Sequence, residues 1–327
     1  MPAFRPGGIF NFWQDGEHLR GLWRRTTLAD YRSKEPKWKT VLDVDALGKT
    51  EGKSWVWKGA SCLMPEERLC MVSLSDGGED ATQAREFDLA RNAFVDGGFF
   101  LPRSQLSFDW EDADHLLVST DWTGQDLTES GYPFIVKRLT RGEPLAAARE
   151  LFRGYKSDVG VFPSVLRDGN GNTLALLVRS KDFFHSETFV LTGSTADKLA
   201  IPEKAAVTAL LAGRAIVSLD EDWSVAGTTY KAGSVVALNL AALKKDPGRL
   251  EPTLVWTPGP RDARVCIAKT KYRLLLSTLH NVSGRILSFA PQSDGSWAAT
   301  QIALPDNLAL GVAAADDNSN AVFLTAQ

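Results

Sequence analysis

Short apolar runs separated by polar turns dominate this chain, and helical periodicity is nearly absent. The runs are rich in Val, Leu, Phe, Trp and Thr and are bounded by Gly, Asp, Asn or Pro, which is typical of β-strands. Only two short segments, 144–151 and 238–245, favour helix. The most apolar runs lie at residues 68–75, 116–121, 173–180, 215–220, 273–278 and 321–325. The pattern therefore predicts an all-β protein.

These six runs form a weak repeat, because their starts lie 42 to 58 residues apart. Most are preceded by a shorter strand and a polar turn and followed by a third strand. A repeat of about 40–50 residues with four strands is typical of β-propeller blades, since stacking such sheets buries both faces of each one. The alternative is a β-sandwich or an irregular all-β domain.

An opening unit precedes the six repeats, with strands predicted at 9–13, 21–27 and 38–44. Adding it predicts a seven-bladed β-propeller that forms a single domain over residues 1–327. The last unit shows only two strands, so we expect an incomplete seventh blade.

Charge and cysteine usage narrow the function classes. The chain is 44% hydrophobic and 24% charged, with a net charge of −3 and a pI of about 5.9, and it lacks the basic stripe of a nucleic-acid binder. No apolar run approaches the roughly 18 residues of a membrane span, and residues 1–8 lack the apolar core of a secretory signal. Cys62, Cys70 and Cys266 sit in apolar runs without metal-ligand spacing, which predicts buried free thiols. We therefore expect a cytoplasmic protein with no nucleic-acid or membrane partner.

Eight segments spread along the chain carry recognisable motifs: 11–15 (NFWQD), 20–27 (RGLWRRTT), 38–43, 51–60, 73–78, 85–88, 127–133 and 233–237. Together they resemble the propeller half of bacterial prolyl oligopeptidase-family serine peptidases. The opening motifs are the most specific of them. The other segments are weaker one by one but occur in the right order, so that the resemblance covers essentially the whole chain.

The resemblance implies a propeller that covers the active site of an α/β-hydrolase domain in the same polypeptide and restricts entry to short peptides. The hydrolase itself would need a Gly-x-Ser-x-Gly nucleophile elbow. The nearest match here, 59–63 (GASCL), lacks the second glycine. We therefore expect no catalytic residue, cofactor or metal in this chain, and we expect its parent to be a serine endopeptidase.

Two other functions stay open at this point. Some propellers are glycosidases that use paired carboxylates, and Asp109, Asp220 and Asp262 lie near predicted strand ends. A propeller can also act alone as a platform that binds a protein or a ligand.

The loops between the second and third strands of each unit are the candidate working surface. Antiparallel strand order puts all such loops at the same end of their blades. Trp122, Phe183 and Phe184 lie in these loops, and exposed aromatic side chains are typical of contact surfaces. We predict that these three residues form a rim facing the hydrolase or its peptide substrate.

Overall fold

The computed structural model describes residues 2–305 and 308–327. It divides into two compact units, Met1–Ser164 and Val165–Gln327. Each unit is built from antiparallel sheets whose strands pair mostly in chain order. The prediction of an all-β protein is confirmed.

The first unit contains three sheets. Sheet 1 consists of β1 to β4: Ala3–Arg5, Gly8–Trp13, Leu22–Thr26 and Lys39–Asp43. Sheet 2 consists of β5 to β9, of which β8 and β9 both pair with β7: Trp55–Cys62, Leu69–Asp76, Thr82–Asp88, Ala93–Phe94 and Phe100–Ser104. Sheet 3 consists of β10 to β13: Ser107–Trp110, His115–Ser119, Ile135–Thr140 and Arg149–Arg153.

Four more sheets follow. Sheet 4, whose first strand contains the boundary between the units, consists of β14 to β17: Gly160–Arg167, Thr173–Ser180, Ser186–Thr192 and Thr195–Lys198. Sheet 5 has the order β18-β19-β22-β23, and β20 and β21 form a separate hairpin; the six strands are Ala205–Leu211, Arg214–Leu219, Trp223–Val225, Thr228–Tyr230, Val235–Asn239 and Thr253–Trp256. Sheet 6 consists of β24 to β27: Asp262–Lys269, Leu274–His280, Ser283–Pro291 and Trp297–Gln301. Sheet 7 pairs β28, Leu310–Ala315, with β29, Val322–Ala326.

The predicted count of seven blades is wrong for the residues that the structure describes. Six sheets have four or more strands, whereas sheet 7 has two. The reason is that residues 310–326 supply only two strands, which pair with each other.

The helices differ from the prediction in position. Segment 238–245 contains a helix, α3, at Leu240–Lys245, but segment 144–151 holds a single 3-10 turn, Leu145–Ala147, and then the start of β13. Two helices in the first unit, α1 (Leu28–Tyr31) and α2 (Val44–Glu51), were not expected. Helix α2 carries ordinary signals, because Asp43 caps its first turn and Gly52 ends it in the left-handed conformation.

Buried side chains lie between consecutive sheets within each unit. In the first unit one cluster joins sheets 1 and 2, and another joins sheets 2 and 3. In the second unit, corresponding clusters join sheet 4 to sheet 5 and sheet 5 to sheet 6. The second strands are buried along most of their length, as in β11 and β19. Burial on both faces explains why these strands read as continuous apolar runs.

The cysteines correct a further expectation. Cys62 and Cys70 face each other directly in the β5–β6 pair and form a disulfide. They were expected to be free thiols because their spacing in the sequence does not reveal which residues the hairpin register brings together. Cys266 is free and half-buried.

Among the described residues, every helix is too short or too polar to cross a bilayer. Nor does that part of the chain bring together three His, Cys, Asp or Glu side chains in a group that could hold a metal ion.

Asp168 joins two turns of the second unit. It is buried, and its carboxylate accepts hydrogen bonds from the backbone N–H groups of Asn170, Asn172 and Gly213 and from the Asn172 side chain, at 2.8–2.9 Å. Burial acts to raise the pKa of this carboxyl, but the Gly213 and Asn172 donors outweigh it, so that the pKa is lowered. The carboxylate therefore stabilises the fold above the unfolded-state pKa of about 3.9, and this contribution is lost as pH falls through the folded-state pKa.

We predict that Asp168→Asn lowers the free energy of unfolding at pH 7 by about 1–3 kcal/mol, because an amide offers one acceptor oxygen and leaves buried donors unpaired. Urea unfolding at pH 7 and pH 3 measures the effect, and the difference from wild type should shrink at pH 3. Asp294→Asn, at an exposed turn where Asp294 binds Ser296, is the matched control and should change stability by less than about 1 kcal/mol. Equal losses in the two variants would contradict the prediction.

Candidate functional site

Strand order defines one end of each sheet. In a four-stranded antiparallel sheet, the loop between strands 2 and 3 lies at the same end as the exit from strand 4. We call this the 2–3 loop end. In the first unit its loops are 14–21, 77–81 and 120–134. In the second unit they are 181–185, 220–234 and 281–282.

Hydrogen bonds tie the loops of this end together in the first unit. Asp45 at the start of α2 accepts from the backbone N–H groups of Arg20 and Gly21 at 2.9–3.0 Å. Asp76 at the end of β6 accepts from the Lys53 side chain and the Ser54 backbone. These bonds connect the 14–21 loop and the end of β6 to the segment between β4 and β5.

Large exposed apolar side chains concentrate at the 2–3 loop end. Of the eleven among the described residues, seven lie in its loops, in the connections between sheets or at the strand ends beside them: Trp13, Leu19, Tyr132 and Tyr155 in the first unit, and Phe183, Phe184 and Val282 in the second. Phe100, Leu254 and Val265 lie within strands, and only Tyr272 lies in a loop at the opposite end. Such segregation indicates a contact surface on each unit.

A short turn presents two of these side chains. Phe183 and Phe184 are 86% and 77% exposed between β15 and β16. Asp182 accepts hydrogen bonds from the backbone N–H groups of Phe184 and His185 and from His185 Nδ1. The Phe184 N–H and the His185 side chain lower the pKa of Asp182. The carboxylate therefore orders the turn while both rings face solvent.

Trp122 also lies between the second and third strands of its sheet, but its environment differs. Its indole Nε1 donates to the Ile135 carbonyl at 3.0 Å, and Lys137 Nζ lies 4.5 Å from its ring centroid. The half-buried ring packs against the core cluster of sheets 2 and 3. Trp122 thus supports loop 120–134, whereas Tyr132 is the exposed aromatic side chain of that loop.

The three carboxylates considered for glycoside hydrolysis are already engaged. Asp262 Oδ1 binds His280 Nδ1 at 2.7 Å, and Asp220 binds Arg264. Asp109 accepts from the backbone N–H of Trp110. The His280 hydrogen bond lowers the pKa of Asp262, whereas a glycosidase acid needs a raised one. This electrostatic setting does not favour that chemistry.

Sequence reasoning missed five of the seven exposed apolar positions at the 2–3 loop end: Trp13, Tyr132, Tyr155 and the two aliphatic residues Leu19 and Val282. Leu19, 71% exposed, lies in the loop of sheet 1. Val282, 91% exposed, forms the tip of the β25–β26 hairpin. Each is a single aliphatic residue in a polar turn. Local hydrophobicity gives such positions no signal, and only the topology shows which end they occupy.

Repeated four-stranded antiparallel sheets with cores between consecutive sheets define an all-β protein of the β-propeller class. The family model of the prolyl oligopeptidase N-terminal β-propeller domain matches residues 1–327. The chain therefore belongs to this family, which confirms the resemblance seen in the sequence motifs.

Three relatives illustrate the match. The chain is 42% identical to the uncharacterized peptidase y4nA of Sinorhizobium fredii, over 99% of this chain and 45% of that protein. It is 28% identical to the uncharacterized peptidase RP174 of Rickettsia prowazekii, over 89% of this chain and 42% of that protein. A post-proline cleaving enzyme from Rickettsia typhi superimposes with a TM-score of 0.91 at 26% identity, over 99% of this chain and 49% of that enzyme. The chain thus spans about half the length of the relatives that it matches.

Proposed function

We propose that this chain is the substrate-gating propeller of a post-proline-cleaving serine endopeptidase. In this proposal an α/β-hydrolase domain of the same polypeptide performs the chemistry, and the propeller admits short peptides to it. The chain itself holds no catalytic domain, and its family is that of prolyl oligopeptidase propellers. The Rickettsia typhi relative is a post-proline cleaving enzyme, and we propose the same activity for the parent of this chain.

The segregation of exposed apolar side chains to the 2–3 loop end supports the docking part of the proposal. Phe183 and Phe184 form the contact in the second unit, and Trp122 holds the corresponding loop in the first. Closure of an active site by a docked domain excludes water and completes the catalytic arrangement. The rim therefore acts by positioning and selection, because in this proposal the hydrolase domain supplies the nucleophile and its paired base.

The cytoplasmic expectation rested partly on three free thiols, and the Cys62–Cys70 disulfide removes that part of the argument, since disulfides persist mainly in oxidising compartments.

We predict that replacing Phe183 and Phe184 together by Ser lowers kcat/KM of the full-length protein on a chromogenic proline peptide by about tenfold or more, because two buried aromatic contacts are lost. Tyr272→Ser in the same unit is the matched control, since Tyr272 is also exposed but lies at the opposite loop end. It should leave kcat/KM within about twofold. Equal kinetics for both variants would refute the docking surface, and a full-length protein that cleaves no proline peptide would refute the activity.

A further inference from the structure

The tip of the β25–β26 hairpin has an unusual backbone. His280 and Ser283 pair directly, so that Asn281 and Val282 alone form the turn. Both have positive φ, at 47° and 64°. Two-residue hairpin turns of this kind favour Asn and Gly, and a β-branched residue in the left-handed region is strained.

Two other hairpins of the same unit have the residue types that such turns favour. The β18–β19 turn uses Ala212 and Gly213, and the β20–β21 turn uses Ala226 and Gly227, again with positive φ at both residues. Each places glycine at the second position. Val282 stands where the other two turns have glycine.

Hydrogen bonds fix the position of this strained turn. The Asn281 N–H donates to the Arg261 carbonyl at 3.1 Å, and His280 Nδ1 binds Asp262 Oδ1 at 2.7 Å. Asp262 also accepts from the backbone N–H of Gly259 at 3.0 Å. These contacts hold the hairpin against the connection that precedes β24, so the Val282 side chain has a defined direction.

Folding gives no reason for a valine at this position. Val282 is 91% exposed, so it buries almost no surface in this chain, and glycine would suit the turn better. A position that costs stability without packing in the fold is a candidate contact site, because strain that persists in a native structure is often associated with function. Its place at the 2–3 loop end, like that of Phe183 and Phe184, identifies the partner that it faces.

We infer that Val282 is an apolar contact to the catalytic domain. The hydrogen bonds around the turn keep it in its strained conformation, so the side chain is already oriented for this contact. This inference rests on the proposed function and names a further docking residue for the same surface. The occupant to which we commit is the hydrolase half of the parent polypeptide, since the relatives are about twice as long as this chain. A preordered tip reduces the entropy lost when the domains close.

Two variants of the full-length protein test it. Val282→Gly relieves the turn and removes the side chain, so we expect the Tm to rise by about 2–4 °C while kcat/KM falls about three- to tenfold. Val282→Thr keeps the β-branched shape and strain but adds a hydroxyl. We expect its Tm to stay within about 1 °C of wild type and its kcat/KM to fall, because the hydroxyl is desolvated at an apolar contact.

Small-angle scattering supplies a readout independent of activity. Both variants should increase the radius of gyration, because the undocked state becomes more populated. Gly227→Val calibrates the strain, because a Cβ at Gly227 meets nothing within 4 Å; we expect its Tm to fall by about as much as Val282→Gly raises it.

The inference is overturned if Val282→Gly leaves the Tm unchanged, or if it raises the Tm while kcat/KM and the radius of gyration keep their wild-type values. If those results are found together with a strong effect of the Phe183 and Phe184 double variant, Val282 is not a contact residue but the docking surface stands. If neither set of variants changes kinetics or compactness, the docking surface of the proposed function fails as well.

Discussion

Replacing Arg141 by Met should lower the free energy of unfolding of this chain by about 3–5 kcal/mol, the cost of leaving a buried carboxylate unpaired. The Glu86 side chain is 1% exposed and is bound at both oxygens by Arg141, at 2.8 and 3.0 Å. Arg141 also donates to the Ala113 carbonyl and stacks on the Phe99 ring. One guanidinium therefore joins sheets 2 and 3, and its loss leaves the Glu86 carboxylate with the Phe99 N–H as its one remaining donor among the described residues.

Urea unfolding monitored by Trp fluorescence measures the effect. Arg103→Met is the matched control, because the Arg103–Glu79 pair is also bidentate but Arg103 is 62% exposed. We expect it to change stability by less than about 1 kcal/mol. Adding Glu86→Gln to Arg141→Met should recover part of the loss, since no charge is then left buried. Equal effects of Arg141→Met and Arg103→Met would show that burial of Glu86 does not govern the interaction.

Removing the Cys62–Cys70 disulfide should lower the free energy of unfolding by about 2–3 kcal/mol, the loop-entropy value for a ring of this length. The two cysteines are eight residues apart, so the bridge restricts the unfolded chain around one hairpin. Cys70 is fully buried, and the hairpin belongs to the core between sheets 1 and 2. Cys62→Ser with Cys70→Ser is the variant to measure by urea unfolding.

A thiol titration provides the chemical check. The denatured chain should show one titratable thiol, that of Cys266, before reduction. After treatment with dithiothreitol it should show three, because the chain has three cysteines. Cys266→Ser is the matched variant and should show no thiol before reduction. Three reactive thiols in the unreduced chain would mean that Cys62 and Cys70 are not paired and that the original expectation of free thiols is correct.

Local sequence pattern was sufficient for the class of fold. The apolar runs at 116–121, 173–180 and 215–220 coincide with second strands of sheets, because a strand covered on both faces is apolar along most of its length. Motifs such as 11–15 and 20–27 were sufficient for the family, since they resemble a known propeller over consecutive strands. In sheets 2 to 6 the loops between second and third strands also followed from strand order, but in sheet 1 the unpredicted strand Ala3–Arg5 makes 14–21 that loop.

Only the tertiary structure decided which residues meet and which face solvent. Glu86 and Arg141 are 55 residues apart, and Cys62 faces Cys70 only in one register of the β5–β6 hairpin. Trp122 and Phe183 occupy equivalent loops, yet Trp122 is half-buried and Phe183 is exposed. Exposure depends on the neighbours that the fold brings to a loop, and those neighbours come from distant parts of the chain. Pairing between sheets and the surface left for a partner are therefore properties of the packed structure rather than of any single segment.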